Sequence, residues 1–237
     1  MYKPDYILKI GGSLLTDKST EETLSNDFSS IISEVKANPN GVLIHGAGSF
    51  GHPHASRNNL MNGTKEGVLE THRAIKKLNR KIIDELRKDD IKAFPVHPSS
   101  FALRDPETRL MTQQIRKISG EGFLPVVHGD VLVSQGKGFA GISGDEILAL
   151  MEKHFQTGHA GFCTSEKGVL DSKNNLIDEI DSIDDFHEKG VKGEDVTGGM
   201  KNKVKELIEK NIEAQIFSSN KLEAFLKGEK PGTTVKK

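Results

Sequence analysis

The sequence predicts an α/β fold with a mostly parallel sheet and helices on both faces. Two observations carry this expectation. Short apolar runs alternate with longer segments of helical periodicity along the chain, and several of those runs stop at glycine clusters. Alternation of this kind is the pattern of strand–helix–strand units, whose parallel strands need helical crossovers.

The elements follow in order. Tyr6-Ile7-Leu8-Lys9-Ile10 reads as a buried strand stopped by Gly11-Gly12-Ser13. Leu24, Phe28, Ile31, Ile32 and Val35 then recur at helical spacing. Val42-Leu43-Ile44-His45 is a second strand, again ended by glycine. Val68, Leu69, Ile75, Leu78, Ile82, Ile83 and Leu86 mark a long amphipathic helix from about Glu66 to Lys88. Ala93-Phe94-Pro95-Val96 is a third strand, weakened by its proline. Leu124-Pro125-Val126-Val127-His128 is a fourth, and Val131 to Phe139 reads as a hairpin around Gln135-Gly136-Lys137-Gly138. Ile147, Leu148 and Met151 indicate a helix, and Ala160-Gly161-Phe162-Cys163-Thr164 a fifth core strand. The acidic, apolar-poor stretch from Asp171 to Asp195 reads as a surface excursion. Met200, Val204, Leu207, Ile208 and Ile212 give a late helix, followed by the strand Gln215-Ile216-Phe217. No repeat or low-complexity linker interrupts the 237 residues, so one domain spanning 1–237 is expected.

Composition narrows the function. Lys and Arg number 33 against 34 Asp and Glu, which leaves no basic excess for a nucleic-acid footprint. The single cysteine, Cys163, excludes a disulfide framework within the chain and a cysteine-based zinc site. The start lacks the long apolar segment of a signal peptide, and no run approaches the roughly 18 apolar residues of a membrane span. The expectation is a soluble cytoplasmic protein with no nucleic-acid or membrane partner, and no residue is singled out as a metal ligand.

The 24 glycines carry most of the functional information. Gly46-Ala47-Gly48-Ser49-Phe50-Gly51 satisfies G-x-G-x-x-G after a strand. A dinucleotide site would need a second strand ending in an acid about 20 residues on, where this chain is helical. His52 stands where a Walker A lysine would follow. A tight turn or an anion cradle remains. Lys9 near the end of a buried strand is costly unless its ammonium meets an anion, although a lysine can also snorkel out of a strand end. Gly129-Asp130 and Ser143-Gly144-Asp145 each read singly as turns. Asp195-Val196-Thr197-Gly198-Gly199-Met200, with Lys201 and Lys203, opens a helix, where N–H groups and an ammonium converge on one anion; solvated lysines at a helix start are the alternative. Together, glycine-lined strand ends, two lysines, an aspartate and a histidine fit phosphoryl transfer, which needs positioning and positive charge more than covalent chemistry.

These segments resemble the amino acid kinase superfamily. The resemblance runs nearly end to end. It rests on Lys9-Ile10-Gly11-Gly12-Ser13-Leu14-Leu15-Thr16-Asp17-Lys18, His45-Gly46-Ala47-Gly48-Ser49-Phe50-Gly51-His52-Pro53, His128-Gly129-Asp130-Val131, Ile142-Ser143-Gly144-Asp145, Asp195 to Met200, and the closing Gly228 to Thr233. The Gly-Ser-Phe-Gly-His stretch is narrower and points to the isopentenyl phosphate kinase branch and the neighbouring fosfomycin kinases. The resemblance implies a three-layer αβα sandwich around an open, mainly parallel sheet, with the acceptor in the N-terminal half and ATP with Mg2+ in the C-terminal half. It implies phosphorylation of isopentenyl phosphate to isopentenyl diphosphate in an alternative mevalonate pathway, by a homodimer.

By motif, the resemblance gives Lys9 and Lys203 the neutralisation of the moving phosphoryl group, Lys18 a place at the nucleotide phosphates, Asp145 the orientation of the lysines, and His52 the acceptor's phosphate. Gly11, Gly12, Ser13, Gly48, Thr164, Ser165 and Gly198 fall on the nucleotide side. Ala47, Gly48, Gly51, Gly129 and Gly144 fall on the acceptor side. One departure stands out: the family's Thr-Asp-Val-Asp-Gly is Thr164-Ser165-Glu166-Lys167-Gly168 here, which bears on the ATP contacts. A fosfomycin-type kinase, or a silent nucleotide-binding sensor on the same fold, are the competing functions; intact Lys9, Asp145 and Lys203 argue against the sensor. An acceptor pocket built by Ile75, Leu78 and Ile82 of the long helix and by the segment around Phe101 is expected.

Overall fold

The computed structural model describes residues 2–58, 64–134, 138–188 and 199–236. Its strands are β1 (Ile7–Ile10), β2 (Val42–His45), β3 (Ala93–Pro95), β4 (Ala102–Asp105), β5 (Glu107–Leu110), β6 (Leu124–His128), β7 (Asp130–Ser134), β8 (Gly138–Ile142), β9 (Ala160–Thr164), β10 (Glu179–Ile180), β11 (Ala214–Ser218) and β12 (Thr233–Val235). The helices are α1 (Gly12–Leu15), α2 (Phe28–Ser33), α3 (Gly48–Arg57), α4 (Lys65–Lys88), α5 (Gln113–Gly120), α6 (Gly144–Phe155), α7 (Ile183–Glu188), α8 (Gly199–Lys210) and α9 (Leu222–Leu226).

Eight strands form the central sheet in the order β10-β12-β11-β9-β1-β2-β6-β3. Neighbours run parallel except β11 and β12. A second sheet, β5-β4-β7-β8, stands beside it. Alternation along each strand sorts the core into two layers. Leu8, Ile10, Leu43 and Val126 pack with Phe28 and Ile32 of α2, Phe50 of α3, Leu78 and Ile82 of α4, and Phe225 of α9. Ile7, Ile44, Val127 and Phe162 pack with Ile115 of α5, Leu148 of α6 and Val204 of α8. The result is the expected αβα sandwich.

The strands and helices read from the sequence are present, with ends moved by up to a few residues, and the hairpin turn at Gln135 to Lys137 lies outside the described residues. Several features depart from that reading. The Gly46–Gly51 cluster is not a loop throughout: Gly48 opens helix α3, and Gly51 and His52 lie inside it. The β4–β5 hairpin, α5, α7 and α9 are additional elements; Ile115 of α5 is fully buried, but its segment is short and charged. Part of the acidic excursion is an edge strand, β10, whose Ile180 is buried against β12.

Parallel register brings the strand ends to one edge. Ile10 stands beside His45 and Cys163, and His45 beside His128. The residues that follow these four therefore gather at the carboxyl edge of the sheet, where ligands bind in open α/β folds.

Candidate active site

A cleft of about 1040 Å³ opens along that edge. Among the residues that line it are Lys9, Gly11, Gly12, Ser13, Lys18, Ala47, Gly48, Gly51, His52, Gly129, Gly144, Asp145, Thr164, Ser165 and Lys203. These are all the residues expected from the motifs except Gly198, which lies outside the described residues, as do Asp195 to Thr197.

Lys9 shares the strand face of Ile7, which looks toward α6 and α8. Its ammonium meets Asp145 Oδ1 at 2.8 Å, and Lys203 Nζ, from α8, meets Oδ2 of the same carboxylate at 2.9 Å. Asp145 sits in the first turn of α6, whose Ser143 cap accepts the Glu146 N–H at 3.0 Å. Burial lowers the Lys9 pKa; Asp145 opposes that shift, while Lys203 adds to it. For Asp145, burial acts to raise the pKa, but the two ammonium groups outweigh it and hold the carboxyl below its ordinary value. The aspartate thus keeps two like charges side by side in a cleft open to an anion.

Two glycine turns face each other across the floor. A Cβ on Gly12 would lie 2.4 Å from Gly48 N, and one on Gly46 would lie 2.6 Å from Gly12 N. Gly48 also has φ +51°, where L side chains are disfavoured. Helices α1, α3 and α6 all begin at the cleft, presenting first-turn N–H groups to it. His52 projects from α3 with no hydrogen bond to a described residue, and its pKa is lowered by burial and then by Lys9.

The acceptor wall differs from expectation. Ile75 lines the cleft with Thr71 and Ile142. Leu78, Ile82 and Phe101 do not; all three are fully buried core residues. Leu78 and Ile82 lie farther along α4, beneath α2 and the sheet, where the helix has passed the strand ends.

The sequence reading passed over a group behind the floor. His72 Nδ1 donates to Asp130 Oδ2 at 2.8 Å, and Asp130 lines the cleft. His128 donates through Nδ1 to the Gly129 carbonyl and accepts from His97 Nδ1 at 2.8 Å. His45 donates through Nδ1 to the Gly46 carbonyl and accepts from Asn79 at 3.1 Å. Burial lowers the pKa to about 4 for His45 and about 3 for His128, so both rings are neutral. The available signal was a pair of His-Gly steps ending two apolar strands. Also unforeseen, Arg104 of β4 donates through Nη2 to both carboxylate oxygens of Glu146 at 2.8 and 2.7 Å, with Thr108 beside it. This ties the small sheet to the start of α6.

Residues 6–218 match the amino acid kinase family. The isopentenyl phosphate kinase of Haloferax volcanii is 34% identical, with the alignment covering 97% of this chain and 98% of the relative. That of Methanocaldococcus jannaschii is 31% identical over 97% of each. Among solved structures, an isopentenyl phosphate kinase superposes with a TM-score of 0.83 at 29% identity, covering 97% of this chain and 99% of the other. A substrate complex of such a kinase gives 0.78 at 25% identity over 98% and 100%. On sequence and fold together, the chain belongs to the amino acid kinase family, within its isopentenyl phosphate kinase branch.

Proposed function

We propose that this chain phosphorylates isopentenyl phosphate from ATP, giving isopentenyl diphosphate, the product expected of an alternative mevalonate pathway. The observation that carries the reading is the Lys9–Asp145–Lys203 triad at the carboxyl edge of the sheet. A phosphate oxygen of the acceptor attacks the γ-phosphorus, the bond to the β–γ bridging oxygen breaks, and ADP leaves with the electron pair. Charge builds on the equatorial and leaving oxygens, and Lys9 and Lys203 are placed to spread it. Asp145 holds both ammonium groups oriented before the substrates arrive. His52, Gly51 and Ala47 serve the acceptor phosphate, with Gly129 and Gly144 beside them. Gly11, Gly12, Ser13, Gly48, Thr164 and Ser165 serve the nucleotide, and Lys18 reaches its phosphates.

Magnesium belongs, on this reading, to the nucleotide. Among the described residues no three His, Cys, Asp or Glu side chains converge to hold an ion. Of the cleft's acids, Asp145, Glu146, Asp130 and Glu21 are engaged by lysines, Arg104, His72 and Arg57 respectively, and Glu166 stands apart from them. An ion carried in with the nucleotide would supply charge neutralisation, beside Lys9 and Lys203. Family likeness also supports a homodimer, which sedimentation analysis tests. No described helix is long and apolar enough to cross a membrane.

The deciding experiment measures ADP release with isopentenyl phosphate, fosfomycin or no acceptor. Turnover with isopentenyl phosphate well above the other two is expected. Preference for fosfomycin would move the chain to the neighbouring kinases. Nucleotide binding without turnover would make it a sensor.

A further inference from the structure

Lys18 sits in the loop between α1 and α2, and its ammonium forms no ion pair among the described residues. The position of its loop is set elsewhere. Ser49, in the first turn of α3, gives every polar group it has to this loop. Its N–H donates to Thr16 Oγ1 at 2.9 Å, its hydroxyl donates to the Thr23 carbonyl at 3.2 Å, and its carbonyl accepts the Glu22 N–H at 3.1 Å. That carbonyl is open for a covalent reason. In a regular helix it would receive the N–H four residues on, but that residue is Pro53, which has none.

The same limb of the loop is held from outside. Arg57 forks onto Glu21 at 3.0 and 2.7 Å, and Lys77 reaches Glu22 at 2.8 Å. Glu22 itself has φ 53°, a left-handed turn that aims its N–H at α3. Across the loop, Thr16 pairs with Leu24, and the Asp17 N–H donates to the Thr23 carbonyl at 3.0 Å, closing a narrow hairpin with Lys18 near its tip. Any shift of the first turn of α3 therefore moves the base of the Lys18 loop.

We infer that Ser49 and Arg57 are positioning residues for Lys18, and that Pro53 keeps the docking carbonyl of α3 available to the loop. The helix that carries His52 on the acceptor side thereby sets a lysine on the nucleotide side. The inference rests on the reading of Lys18 as a nucleotide-phosphate contact.

The test is a double-mutant cycle on the full chain with ATP and isopentenyl phosphate: Ser49→Ala, Arg57→Ala, Lys18→Ala and the two pairs with Lys18→Ala. Losing the Ser49 hydroxyl should lower kcat/KM for ATP by about 3- to 10-fold, the range of one neutral hydrogen bond. Arg57→Ala, at an exposed pair, should lower it by about 2- to 3-fold, and it covers the case in which Ser49→Ala does not fold. In the Lys18→Ala background both effects should shrink below about 2-fold, because contacting groups that act through one side chain are non-additive. Undiminished effects in that background would overturn the inference and leave Ser49 and Arg57 with a purely structural role. A Lys18→Ala variant with full kcat/KM would instead remove the reading of Lys18 on which the inference depends.

Discussion

Gly12 and Gly48 approach so closely that neither turn has room for a side chain at Gly12: a Cβ there would lie 2.4 Å from Gly48 N and 2.7 Å from its Cα. Both obstructing atoms are backbone, so the turn itself must move. Gly12→Ala should cost about 1–3 kcal/mol of stability. Turnover should fall by more than the folded fraction, since misplacing a site by about 1 Å can cost about 10²-fold. Thermal melts beside turnover numbers check this. Gly141→Ala, where an added Cβ meets nothing within 4 Å, is the stability control.

Lys9→Met keeps the stem and deletes the ammonium. Turnover should drop by about 10²–10³, the loss seen when one preorganised donor to developing charge is removed. Folding should survive, because Asp145 keeps Lys203 as a partner at 2.9 Å. Near-full activity in a folded variant would dismiss Lys9 from the chemistry.

Asp145→Asn should lower turnover more than substrate affinity. The carboxylate opposes the burial that depresses the Lys9 pKa. Without it, Lys9 loses its proton at lower pH, so the alkaline limb of the kcat profile should move toward neutrality. Stability gives a second readout. The Asp145 pKa is below its ordinary 3.8, so its contribution is complete above that value and is lost as pH falls through the lowered one. The Asn variant should lack this acid limb. A stability loss with turnover per folded molecule unchanged would make Asp145 only a helix-start residue.

His52 begins with a lowered pKa, from burial and from Lys9. A bound acceptor phosphate favours the protonated ring, so the pKa should rise on adding isopentenyl phosphate. A hydrogen bond to a charged group is worth about 1.5–3 kcal/mol. His52→Ala should lose activity by roughly 10- to 150-fold, mainly in kcat if the bond tightens during attack, and His52→Gln should recover part. An NMR titration with both variants' kinetics checks this; an unmoved pKa with wild-type kinetics in the Ala variant would make it an ordinary helix residue.

Ile75 and Leu78 share one helix but face different surroundings. Ile75→Ala should open the cleft and shift preference toward a longer isoprenoid phosphate, by no more than about 1–3 kcal/mol for each methylene's worth of space. Leu78→Ala should cost about 2–5 kcal/mol of stability and leave preference alone. Competition between isopentenyl and geranyl phosphate separates the two.

The sequence alone determined the layered α/β fold, the strand ends that carry the site, and about half of the residues that line the cleft. Period-2 and period-3.6 patterning, with glycines at strand ends, are local signals, and they sufficed for β1, β2, β6, β9, α4 and α6. Contacts between distant segments were not legible. Lys9 and Lys203 are far apart in the chain, and only folding brings them onto one carboxylate. Gly12 reads as an anion contact from its neighbours alone; that it must also clear Gly48 depends on how two crossovers pack. Leu78 and Ile82 have the same apolar character as Ile75, and only the length of α4 past the strand ends puts them in the core. Pro53 inside α3 looks like a helix breaker until Glu22 is seen on the carbonyl it leaves open. Local patterning carries the period of an element, whereas which faces meet depends on chain closure over long separations.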